Sequence, residues 1–370
     1  MTAAEPAGKR EAALKAFLAG LERINVVPLW SVVTASREPV TPVQPYIWRW
    51  RDYYPELMRS AEFMAPAPVQ GEERDERRAF LFVNPGLREH YATTNTLIAT
   101  AQLILPGEIA PAHRHSAAAV RFMIQGRAYT TVQGEKVEMA PGDLVLTPQW
   151  TWHDHANESS DPVIWMDGLD RLLIQQLNVG FFDPYPSGRQ ELSKPLDYSV
   201  RKYGPTNVRP LSDRPPPGPA SSPQILYKWA ETQAALKRLH DLGEKSRFGE
   251  VAVYYVNPLT GSHATSTMGC SAHLLGPSAR TKAKRVTGSS VYHVASGRGF
   301  TIVNGTKIVW EKGDSLAVPP WAWHEHGNAS DKEEAFLFCL DDSPVFQSLG
   351  LFLEEPYQEA DGHQSIRSEM

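Results

Sequence analysis

The sequence predicts an all-β-dominated chain of two similar barrels preceded by a helical arm, on three observations. Short segments rich in Val, Ile, Leu and Thr alternate with Gly, Pro and Asn turns. That pattern occurs twice, and a proline-rich stretch separates the two occurrences. The 370 residues leave room for about two domains, and a hydrophobic content of 42% is enough to bury a core in each.

Residues 1–75 read as a helix and an arm. In residues 11–24 (EAALKAFLAGLERI), Leu14, Phe17, Leu18 and Leu21 recur at helical spacing, and Pro28 and Trp30 mark a change of structure. Residues 39–68 combine prolines with Trp48, Trp50, Tyr53 and Tyr54, a composition unfavourable for a long helix and suited to an arm laid across another surface. The first barrel is expected over 76–200, where FLFVN, TLIATAQLIL, AVRFMIQ, AYTTVQ, DLVLTP and VIWMDGL have strand character. Residues 201–225 read as a linker, because 203–223 hold seven prolines in 21 residues. The second barrel is expected over 226–360: a helical stretch at 226–244, then VAVYYVN, SSVYHVA, FTIVNG, TKIVW, DSLAVPP and AFLFCLD.

The two barrels are one unit repeated. A shift of 171 residues lays Gly126 on Gly297, Gly134 on Gly305, and GDLVLTPQWTWHDHAN (142–157) on GDSLAVPPWAWHEHGN (313–328) without a gap.

Composition excludes several function classes. The net charge of -5 comes from scattered residues, with no basic arm or acidic tail, so no nucleic-acid partner is expected. No run of about 18 apolar residues and no apolar leader core appear, and only Cys270 and Cys339 occur; a cytoplasmic chain without a membrane span is the expectation.

His113 and His115 lie two apart in a strand-like run, so their imidazoles share one face. His153 could bring a third nitrogen from a neighbouring strand, with His155 as its competitor. Three imidazoles suit Zn, Fe, Ni or Cu alike. The framing is more specific than the histidines: Gly107, five residues, His113, one residue, His115, and later Gly142, five residues, Pro148, four residues, His153, three residues, Asn157. This resembles the paired motifs of the cupins and implies a bicupin of two double-stranded β-helix (jelly-roll) barrels. A glutamate that would complete the motif as a fourth ligand is replaced by Ala119. Three histidines leave about three positions open on an octahedral ion, which suits oxygen chemistry better than a closed structural site.

NPGL (84–87), LPGEIAPAHRHSAAAVRF (105–122), GDLVLTPQWTWHDH (142–155) and WMDGLD (165–170) together resemble the gentisate 1,2-dioxygenase-like bicupins, which include salicylate and 1-hydroxy-2-naphthoate dioxygenases. The resemblance implies Fe(II) on His113, His115 and His153. It also implies O2-dependent opening of an aromatic ortho-hydroxy acid between its carboxyl- and hydroxyl-bearing carbons, gentisate to maleylpyruvate first, and a homotetramer. A substituted salicylate such as 5-nitrosalicylate, or 1-hydroxy-2-naphthoate, is the alternative substrate.

Around such a metal, Arg121 falls on the face of the histidines and suits the substrate carboxylate through two hydrogen bonds. His155 suits proton transfer with the substrate hydroxyl, and Asp167 suits the orientation of an arginine or imidazole, or a turn cap before Gly168. Arg77 and Arg78 match a paired-arginine segment of the family, of which one is expected at the substrate. Ile98 and Thr100, where the family tends to have an aromatic and a small residue, are expected beside the ring, with Trp152 in the same substrate set. In the second half Lys284 and Val286 stand where His113 and His115 stand, so that barrel is expected to be structural and metal-free. Other metal-dependent cupin enzymes and a non-catalytic small-molecule-binding bicupin are the competing readings.

Overall fold

The computed structural model describes residues 7–32, 36–64, 78–204, 212–213 and 220–370. They fall into two units, residues 1–40 and residues 41–370. The first holds the helix Ala7–Glu22, which begins four residues before the expected stretch 11–24 does, and one turn, Leu29–Val32.

The second unit contains both barrels, each made of two sheets that are antiparallel throughout except where Ser368–Glu369 runs parallel to Thr306–Glu311. In the first, one sheet runs edge to edge as Leu226–Tyr227, Leu144–Thr147, Ala119–Gln125, Val163–Leu169, Ile98–Ile104 and Ala79–Leu81. The other runs Phe182–Pro184, Ile109–His115, His153–Ala156, Ala128–Val132 and Glu135–Met139. The second barrel repeats the order: Tyr46–Trp48, Ser315–Val318, Ser290–Ser296, Ala335–Asp341, Gly269–Leu275 and Val251–Tyr254 in one sheet. Its other sheet is Glu354–Pro356, Lys284–Val286, His324–Asn328, Arg298–Val303, Thr306–Glu311 and Ser368–Glu369.

Alternation along the strands divides the core into layers. Ile104, Met123, Val145, Val163 and Trp165 pack inward against Val132, Val137 and Met139 of the opposite sheet, which fills the first barrel. The intervening Leu103, Val120, Phe122, Ile164 and Met166 point the other way, onto Ala272, Leu274, Val291, Phe338 and Leu340 of the second barrel. One sheet of each barrel is therefore buried on both faces, and its strands read as continuous apolar runs. At the centre, Phe122 stacks on Phe338 with centroids 4.4 Å apart.

Two strands cross between the halves. Tyr46–Trp48, from the arm before the first barrel, pairs with Ser315–Val318 of the second; Leu226–Tyr227, after the linker, pairs with Leu144–Thr147 of the first. Each crossing strand leads into a helix that docks alike. The Trp50 amide donates to Asp314 and the Trp229 amide to Asp143, at 2.8 Å in both, and each indole covers the glycine before that aspartate, Gly313 or Gly142. A side chain at either glycine, both at positive φ, would collide with the indole.

These contacts correct the expected boundaries. The stretch 39–68 is no irregular arm throughout: it gives a strand and the helix Trp50–Arg59, whose first amide Asp314 satisfies and which carries Pro55 within it. The helix Tyr198–Tyr203 reaches into the linker, and Ser222, Gln224 and Ile225 at its far end are buried, Ile225 accepting a hydrogen bond from Leu146. The second barrel runs beyond 360, since Ser368–Glu369 adds an edge strand. No helix among the described residues is long and apolar enough to cross a membrane.

Candidate metal and substrate site

His113 pairs with His153 across adjacent antiparallel strands, and a register irregularity between Ala110 and His113 turns His113 and His115 onto the interior face. The ligand atoms of His113, His115 and His153 all lie within 4.8 Å of one another. His155 stands outside the group, its ring centroid 5.8 Å from that of His153 and its Nδ1 2.8 Å from the Thr130 hydroxyl.

All three triad rings have Nδ1 against a backbone carbonyl: His113 on Pro111 at 2.8 Å, His115 on Ala117 at 2.7 Å and His153 on Thr151 at 2.9 Å. A carbonyl can only accept, so the proton sits on Nδ1 and the Nε2 lone pair is the one available to a cation. His153 Nε2 is buried with no hydrogen-bond partner among the described residues. Burial, and then the neighbouring His113, Arg121, His115 and His155, hold the His153 imidazole well below its usual range and keep it neutral. Three nitrogens pre-oriented in this way fit a divalent transition metal. Ala119, buried where the cupin glutamate would stand, offers no fourth ligand.

The opposite sheet supplies the anion-binding side. Thr100, Asp167 and Arg121 are in register across three adjacent strands, on the faces that point into the barrel. Arg121 Nε lies 3.0 Å from an Asp167 carboxylate oxygen, its Nη1 donates to Thr147 Oγ1 at 2.9 Å, and Thr100 Oγ1 lies 3.4 Å from Asp167. Arg121 is 1% exposed, so Asp167 also neutralises a cation that could not otherwise stay buried. Ile98, buried, shares the inward face one alternation before Thr100. Sequence reasoning passed over Thr147 and Thr130, although each is a polar residue at an inward position of an apolar strand.

Two expected substrate residues lie elsewhere. Arg114 alternates with His113 and His115 and so faces outward; Trp152 sits under its guanidinium, 4.6 Å from ring centroid to carbon, and edge-on to Tyr185. Trp152 is therefore on the outer side of the sheet, because it precedes an inward histidine and strand side chains alternate. Arg78 gives its guanidinium to both oxygens of Glu108 and its Nε to the Met64 carbonyl, which ties a barrel edge together. Arg77 lies outside the described residues. Phe182, which the sequence reading did not single out, stacks on His113 at 5.2 Å.

The second barrel keeps the frame of this site and changes its contents. His324 holds Nδ1 on Ala322 as His153 does on Thr151, and His326 meets Thr301 as His155 meets Thr130. Lys284 pairs with His324 at the register of His113 with His153, and Tyr292 opposes Cys339 where Arg121 opposes Asp167. Among the described residues, the second interior gathers no group of three ligand atoms like that of His113, His115 and His153.

Comparison with known proteins agrees with this architecture. The cupin domain family matches twice, over residues 101–169 and 274–341. The chain is 40% identical over 362 residues to 5-aminosalicylate 1,2-dioxygenase of Comamonas sp, covering 96% of this chain and 94% of that protein. It is 35% identical to gentisate 1,2-dioxygenase 1 of Aquipseudomonas alcaligenes, covering 92% and 95%. The crystal structure of salicylate 1,2-dioxygenase from Pseudoaminobacter salicylatoxidans in adducts with gentisate superposes with a TM-score of 0.84 at 31% identity, covering 96% and 95%. With two cupin barrels and this likeness along nearly its whole length, the chain belongs to the gentisate 1,2-dioxygenase-like bicupins and is a ring-cleaving dioxygenase.

Proposed function

We propose that the chain opens the ring of a salicylate bearing a hydrogen-bonding group at position 5, gentisate foremost, with dioxygen and an iron(II) ion held by His113, His115 and His153. The observation that carries this reading is that the three imidazoles, Arg121, Asp167 and Thr100 all face the interior of one barrel. The 5-aminosalicylate and gentisate dioxygenases among its relatives support the substrate class. Iron(II), when bound, supplies adjacent open coordination positions and the electron density that dioxygen chemistry needs.

The chain's own residues do the rest. Arg121, aimed by Asp167 and Thr147, receives the substrate carboxylate and fixes which ring bond lies beside the metal. His155, its Nδ1 tethered to Thr130, takes the proton of the ortho-hydroxyl at Nε2. Ile98 and Thr100 border the ring and discriminate among substituents. Both oxygen atoms enter the product, so gentisate gives maleylpyruvate with no other co-reactant. By resemblance the working form is a cytoplasmic homotetramer, which sedimentation velocity checks.

The test is oxygen uptake by protein loaded anaerobically with iron(II), offered gentisate, 5-aminosalicylate, salicylate and 1-hydroxy-2-naphthoate in turn. Uptake equimolar with a 5-substituted salicylate and a new ultraviolet absorbance is the expected result. Turnover of hydroxynaphthoate alone would overturn the substrate, and no uptake with any of them would overturn the reaction.

A further inference from the structure

The three ligand histidines differ in what lies behind the carbonyl each one holds. The carbonyl of residue i and the amide N–H of residue i+1 belong to one peptide group, so a strong acceptor on that N–H adds negative charge to the oxygen. Behind His113, the Pro111–Ala112 peptide gives its N–H to the Gly188 carbonyl at 2.8 Å. Behind His153, the Thr151–Trp152 peptide gives its N–H to the Gln133 side-chain oxygen at 3.1 Å. Both acceptors are neutral. Behind His115, the Ala117–Ala118 peptide gives its N–H to the Asp170 carboxylate at 2.9 Å.

Asp170 is 1% exposed, and its other oxygen accepts the Thr267 hydroxyl at 2.6 Å. Thr267 belongs to the second barrel, just before the strand Gly269–Leu275. Gln149, whose side-chain nitrogen lies 3.4 Å from both Ser266 Oγ and Thr267 Oγ1, braces the same junction, and the next amide, that of Trp150, donates to the His115 carbonyl at 2.9 Å.

We infer that Thr267 and Asp170 are positioning residues through which the second barrel sets the orientation and donor strength of His115, by way of the Ala117–Ala118 peptide. This rests on the proposed triad. Thr267 holds one carboxylate oxygen so that the other meets the Ala118 amide; the carboxylate charge enriches the Ala117 oxygen; and that oxygen draws on the His115 Nδ1 proton, making Nε2 the better donor. The pseudo-repeat contains its own control. Thr96 of the first barrel donates to Asp342 of the second, and Asp342 accepts the Ser289 amide at 2.8 Å, but Val286 stands where His115 would be. The mirror contact thus joins the barrels in the same way with no imidazole at its end.

The experiment compares the full-length wild type with Thr267→Val, Thr267→Ser, Asp170→Asn, Thr96→Val and His115→Ala. It measures the cobalt(II) dissociation constant by chelator competition, the cobalt(II) ligand-field absorption, and the urea midpoint, all at pH 8. Thr267→Val and Asp170→Asn are expected to weaken cobalt(II) binding about tenfold and to shift the absorption, with Thr267→Ser restoring both. Thr96→Val is expected to lower the urea midpoint as much as Thr267→Val does, with metal affinity unchanged. Equal metal affinity in wild type, Thr267→Val and Asp170→Asn would overturn the inference, as would equal weakening by Thr96→Val. Tight cobalt(II) binding by His115→Ala, or none by the wild type, would instead overturn the triad itself.

Discussion

The ammonium of Lys284 lies 2.9 Å from the Glu250 carboxylate, at the register position that His113 holds in the first barrel. A cation fixed by covalent attachment therefore stands where the other barrel has one of the histidines proposed to take a free one. Both side chains are largely buried, 15% and 9% exposed, so each depends on the other for its charge.

Lys284→Met should destabilise the protein by about 3–5 kcal/mol, because Glu250 would be left buried without its counter-charge. The double variant Lys284→Met/Glu250→Met should regain most of that loss, and neither change should alter metal content. Urea denaturation and metal analysis check both statements.

The same pair sets a limit in acid. Burial pushes the Glu250 carboxyl up, but attraction to Lys284 and His273 and the Lys284 hydrogen bond outweigh it and bring it down to about 2. A carboxylate depressed on folding contributes stability above its unfolded value of about 4.3 and loses it as pH falls toward the folded value. Stability measured from pH 5 to pH 2 should therefore fall more steeply for the wild type than for Lys284→Met/Glu250→Met.

His113→Ala should abolish metal binding and activity while leaving the circular dichroism unchanged, since the ring rests on the Pro111 carbonyl and on neighbouring rings such as Phe182 and ties no strand to another. A metal-loaded, active variant would show that His155 takes the vacated role.

Arg121→Lys should keep the metal and lower kcat/KM about 100-fold, mainly through KM, because an ammonium keeps the charge beside Asp167 but loses the planar two-point grip. Loss of metal would make Arg121 structural. Metal analysis beside steady-state kinetics separates the two.

Thr100→Ala removes a hydroxyl that lies 3.4 Å from Asp167 at the substrate face. Competition between gentisate and unsubstituted salicylate should move by about 10- to 100-fold, the range one group in a pocket wall commands, with the product type unchanged.

The convergence of three histidines and the double barrel were legible in the sequence because the signals are local and repeated. A two-residue histidine spacing dictates a shared strand face, glycines at fixed intervals mark the turns, and a gapless 171-residue shift reveals both the second barrel and the loss of its ligands. Arg121 was legible for the same reason: alternation along a single strand carried it to the inward side.

The chain's own periodicities could not decide which residues meet across the packed sheets. The exchanged strands Tyr46–Trp48 and Leu226–Tyr227, the capture of Arg78 by Glu108 and the outward turn of Trp152 each depend on how separate segments come together. The Thr267–Asp170 contact joins residues 97 apart in the chain, and two aligned copies of one motif give no hint that it reaches a ligand on one side and a valine on the other. Backbone spacing fixes which face a side chain takes; only the packing of one barrel on the other fixes its partner.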